Sequence, residues 1–112
     1  IVNPDSAKAI ARHELLCSLD DVIREASRCL KSKGKMYMVH RPNRLVDIFD
    51  TMRKYHLEPK RMRLVYPHVN KAANMVLIEA VKGGNSQLIV EEPLIVYKTD
   101  GTYTDALLKM YE

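Results

Sequence analysis

His40, Arg41, Pro42, Asn43 and Arg44 follow directly on the apolar run Met36-Tyr37-Met38-Val39. The run reads as a buried strand, and its exit carries a cluster of cations. Guanidinium forks held there suit phosphate or carboxylate. The carboxyl ends of parallel strands are also where open α/β sheets place their ligands. Arg41 and Arg44 read equally well as ion-pair partners of acidic neighbours such as Asp47.

Other groups invite chemistry. Arg12, His13 and Glu14 stand together among small apolar residues. A general base or an RNA contact fits that cluster, as do side chains satisfied by local hydrogen bonds. Lys60, Arg61 and Arg63 make a basic strand that could track a nucleic-acid backbone. The same strand could be a solvated outer strand guarded by charge against edge pairing. The six tyrosines are scattered, so no base-stacking platform is expected.

Cys17 and Cys29 read as reduced, largely buried thiols. Without a Cys-x-x-Cys spacing, no metal site is expected from them with His13 and His40. No glycine-rich dinucleotide turn, Walker loop or serine elbow is present. Asn3-Pro4 is followed by Asp5-Ser6 and reads as a loop.

The elements that must position these residues follow from periodicity. Ala7, Ile10, Ala11 and Leu15 have helical spacing. Ser18 suits the N-cap of a second helix with the stripe Val22, Ile23, Ala26, Cys29 and Leu30, ended by Gly34. Lys35 to Arg41 predicts a strand covered on both faces. Pro42 starts a helix that buries Leu45, Val46, Ile48, Phe49 and Met52. Met62, Leu64 and Tyr66 give the next strand one apolar face. The short "PHVNK" link forces an antiparallel pairing with the strand after it, which ends at Gly83-Gly84-Asn85. A turn at Asp100-Gly101 and a short helix capped by Thr104, Asp105 to Tyr111, close the chain.

The order predicts an α/β fold with a parallel unit and an antiparallel terminal hairpin. At 112 residues, with 46% hydrophobic and 29% charged, the chain has room for one domain or part of one. A net charge of +4 favours an anionic partner without requiring one. No run approaches a membrane span and no signal-peptide pattern is visible, so a cytoplasmic location is expected.

"AIARHELLCSLDDVIREASRCLKSKGKMYMVHRPNRL", "LEPKRMRLVYP", "ANMVLIEAVKGG" and "YTDALLKMY", in that order, resemble the carboxyl-terminal half of bacterial small-domain N6-adenine methyltransferases acting on tRNA. The resemblance implies a Rossmann-like class I fold dependent on S-adenosylmethionine, with Lys35 to Arg41 as its fifth strand and the hairpin as its last two. It also implies that residues 1–112 are a single partial domain. The family's glycine-rich cofactor loop, ribose-binding acid and Asn-Pro-Pro-Tyr motif have no match here. No catalytic residue is therefore assigned in this chain, its cofactor-binding residues are unknown, and alone it is expected to be inactive. The resemblance makes Arg12, His13, Arg41, Arg44, Lys60, Arg61 and Arg63 candidate RNA contacts. A parallel strand without its neighbour is expected to self-associate or swap elements. The competing reading is a stand-alone basic α/β module that binds RNA or a protein without chemistry.

Overall fold

Ser18 heads the first described helix, and the computed structural model describes residues 18–111. The expected helix over Ala7 to Leu15 lies outside them, as do Arg12, His13 and Cys17. Helix α1 (Leu19–Cys29) starts with a complete capping box. The Ser18 hydroxyl accepts from the Asp21 backbone N–H, and the Asp21 carboxylate accepts from the Ser18 N–H. The helix ends at Cys29, before Lys31 and Lys33. Lys33, at φ 70°, takes the left-handed position expected of Gly34. Gly34 is needed for close approach instead, since a Cβ there would lie 2.9 Å from the Lys31 carbonyl. Lys82, 53 positions beyond Cys29 in sequence, donates to the carbonyls of Ser27 at 2.5 Å and Leu30 at 2.8 Å. A distant cation thus serves the negative end of the helix.

Strand β1 (Lys35–His40) leads through a 3₁₀ turn (Pro42–Arg44) into α2 (Leu45–Lys54), followed by β2 (Leu57–Tyr66) and β3 (Met75–Lys82). Two short strands, β4 (Ile89–Val90) and β5 (Leu94–Ile95), precede α3 (Asp105–Lys109), which Thr104 caps. The sheet order is β1-β3-β2-β4, with β5 also on β2. Strand β3 is antiparallel to both β1 and β2. Strands β1 and β2 therefore run parallel to one another with β3 between them. Pro59 cannot donate to the ladder, and the register slips there, leaving Lys60 as the extra residue of a bulge.

Helices α1 and α2 cover one face of the sheet. Leu19, Ile23, Ala26, Ile48 and Met52 meet Met36, Met38, Leu57, Met62, Val76, Ile78 and Ala80 in the core. Each fully buried large side chain contributes about 1.5–3 kcal/mol by leaving water. Ser27, buried among them, donates to the Tyr55 carbonyl at 2.6 Å and ties α1 to the end of α2.

Several expectations are corrected. Strand β1 is covered by described residues on one face only: Met36 and Met38 are buried while Tyr37 is 53% exposed. Val46 points to solvent at 81% exposure, because it lies off the helical stripe of Leu45, Ile48, Phe49 and Met52 that meets the core. Cys29 is exposed rather than buried. Strand β2 is not an outer strand, since β4 and β5 lie beyond it.

Candidate functional site

Parallel β1 and β2 bring their carboxyl ends to the same side of the sheet. His40 is opposite Val76 on β3, and Val65 is opposite Met75. The two exits are therefore level and about 10 Å apart, two strand spacings. Strand β5 runs parallel to β2, with Ile95 opposite Tyr66, so Val96 and Tyr97 leave at the same rim. Arg41, the Pro67–Asn74 loop and the start of the tail turn share one edge of the molecule. That is the ligand side of an open α/β sheet.

Arg41 is exposed at this rim, and among the described residues its guanidinium has no ion-pair partner. Its backbone N–H donates to His40 Nδ1 at 2.8 Å. Arg44 is drawn back onto α2, its Nε 3.2 Å from the Asp47 carboxylate. The structure therefore separates two residues that sequence places together: one reaches outward, and one also braces the helix start.

The basic strand is distributed differently from a continuous charged edge. Lys60 donates to the Asn85 carbonyl at 2.7 Å and the Ser86 carbonyl at 3.3 Å. Arg61 reaches Glu91 at 3.3 Å. Both stitch the tail onto β2. Arg63 lies on the sheet face opposite the two helices, where its Nε is buried without a hydrogen-bond partner among the described residues. A hollow of about 370 Å³ on this face is lined by Tyr37, Val39, Arg61, Arg63, Leu77, Glu79 and Glu91. Its two arginines are matched by two glutamates, so the charge does not select an anion.

Three rings at the rim form a ladder that the scattered tyrosines did not suggest. His68 and Tyr97 stack at 5.4 Å between centroids with planes 30° apart. Tyr97 and Tyr103 stack at 5.3 Å and 22°. The signal lay in the spacing around Asp100-Gly101. Lys98 N–H bonds the Thr102 carbonyl at 2.7 Å, which places Tyr97 and Tyr103 directly opposite each other. Asp100 accepts from the Thr102 hydroxyl at 2.6 Å and its backbone N–H at 3.0 Å. These bonds hold its carboxyl below the usual aspartate range. The Tyr97 N–H bonds the Pro67 carbonyl at 2.9 Å, pinning the ladder to the β2–β3 loop.

No family model matches the chain, and no curated protein matches it in sequence. Among solved structures, the crystal structure of a predicted O-methyltransferase, protein Atu636 from Agrobacterium tumefaciens, is similar, with a TM-score of 0.75 and 25% identity. The likeness covers 82% of this chain and 44% of that one. The fold is that of a Rossmann-like methyltransferase. The chain spans less than half the length of that structure. Within the methyltransferase fold, the inserted antiparallel β3 agrees with the terminal hairpin expected from the sequence. Among the described residues, no helix is long and apolar enough to cross a membrane.

Proposed function

We propose that residues 1–112 are the carboxyl-terminal part of a single S-adenosylmethionine-dependent methyltransferase domain that methylates adenine N6 in tRNA or another structured RNA. The observation that carries this reading is the level rim of β1 and β2 with exposed Arg41 at its edge, on a methyltransferase fold. The exit of β1 does not itself fit the methyl donor. Strand β1 exits into Arg41-Pro42-Asn43-Arg44, where no glycine lets a nucleoside approach the backbone. The role assigned to this chain is accordingly on the substrate side. Arg41 grips an RNA phosphate with its fork, while Pro42 fixes the turn that presents it. The tRNA-adenine assignment rests on the order of the sequence motifs, with the net charge of +4 in support.

The test uses the natural full-length polypeptide that carries this chain. Arg41→Ala should weaken tRNA binding by about tenfold and flatten its salt dependence by about one phosphate contact. Unchanged tRNA affinity and turnover would sink the assignment. An absence of methyl transfer and of tRNA binding in the unaltered protein would remove the reading altogether.

A further inference from the structure

The aromatic ladder stands at the same rim as Arg41, and its pinning to the β2–β3 loop does not exhaust what it offers. Its ring spacings lie within the range of offset-stacked aromatics. Next to it is a hollow of about 340 Å³, lined by His68, Val69, Asn70, Lys71, Tyr97 and Thr99. This volume lies within the range of small-ligand sites. The hollow combines two flat rings, a side-chain amide and a cation. Aromatic rings accept any base by stacking, an amide can read a base edge, and an ammonium suits a phosphate. The nearby acids are already engaged: Asp100 by Thr102 and Asp105 by Lys98 at 3.9 Å. Lys71 is left as the cation of the hollow, and it is exposed.

We propose that His68, Tyr97 and Tyr103 form a stacking platform for an unpaired nucleobase, seated on the outer face of His68 with Tyr97 stacked behind it and Lys71 at its phosphate. This rests on the RNA-substrate reading above and adds that the recognised nucleotide is out of its helix. Tyr103 supports the stack from behind Tyr97. A base extruded from a loop can lie flat on such rings, whereas a base inside a duplex cannot.

The experiment compares binding of a labelled short unpaired RNA and of the same RNA in a duplex, by fluorescence anisotropy on the full-length polypeptide. His68→Ala should weaken unpaired-RNA binding by about 5- to 50-fold and leave duplex binding unchanged. His68→Phe, which keeps a flat ring, should bind within about twofold of the unaltered protein. Lys71→Ala should weaken binding and lower the salt slope by about one. Tyr97→Leu should lose the same preference at an unchanged melting profile. If His68→Ala and Tyr97→Leu bind unpaired RNA as well as the unaltered protein does, the platform is overturned. It is equally overturned if His68→Phe loses as much as His68→Ala. Loss in Arg41→Ala without loss in the ladder variants would refute the platform and leave the RNA-substrate reading standing. No RNA binding by the unaltered protein would refute that reading itself.

Discussion

The two edges of the sheet are managed in opposite ways. Beyond β2 the tail folds back as β4 and β5, pairing Arg61 with Ile89 and Val65 with Leu94. Glu91 N–H reaches the Met62 carbonyl and Val96 N–H the Tyr66 carbonyl, each at 2.9 Å. Beyond β1 no strand is paired among the described residues. Yet β2 carries the arginines and lysine, while β1 carries Met36, Tyr37, Met38 and Val39. Charge is therefore not the guard of an open edge here. On β2 it fastens a cover, and among the described residues the apolar strand is the one left open.

The largest effect should come from loosening the covered edge. Leu94 is 3% exposed beside Val65, so Leu94→Ala should cost about 2–5 kcal/mol in urea unfolding through lost contacts and a cavity. A cost under about 0.5 kcal/mol would show that the tail is not part of the cooperative unit. Next comes the open edge. The 112-residue chain should self-associate through β1, and Tyr37→Lys should weaken that association by about tenfold in light scattering. A monomer that stays monomeric on concentration would mean that the edge is already protected.

Acid distinguishes the two sides of the molecule more finely. On the helix layer, Asp20 accepts from the Tyr55 hydroxyl at 2.6 Å and from Lys54 at 2.9 Å. These partners, Tyr55 first, hold its carboxyl below the usual value of 3.8. Stability from a depressed carboxyl is present above its unfolded value and fades as pH falls through the folded one. Acidification below about pH 4 should loosen α1 from α2, and Asp20→Asn should remove part of that dependence in thermal melts. Asp100→Asn should instead raise amide exchange only around the tail turn. The smallest change is expected for Glu91→Gln, which breaks an exposed pair with Arg61 and should cost about 0–1 kcal/mol.

Local chemistry made much of this fold legible in sequence. Ser18 and Thr104 announce their helices because a hydroxyl satisfies an otherwise unpaired N–H. The short link between β2 and β3 permits only an antiparallel return. Contacts between distant segments were harder to read. Four consecutive apolar residues in β1 looked like a strand covered twice, but Tyr37 and Val39 face a hollow. Lys82 could not be foreseen as a helix cap from within α1. Arg61 and Lys60 looked like guards because their partners lie 25 or more positions onward, in the tail. The rim was legible as a place, at Arg41, but not as a surface. Its aromatic part depends on where the Asp100-Gly101 turn returns the chain.

The placement of β3 also constrains when the sheet can form. Strands β1 and β2 are made first but touch each other nowhere in the ladder. Each waits for residues 75–82, and Lys35 finds Val81 only across 46 positions. Such non-local closure slows folding, because the loop entropy must be spent before any contact repays it. During synthesis, a chain halted before Met75 has helices and apolar segments but no paired strand among the described residues. The interval before β3 emerges is when Met36 to Val39 are most open to wrong partners.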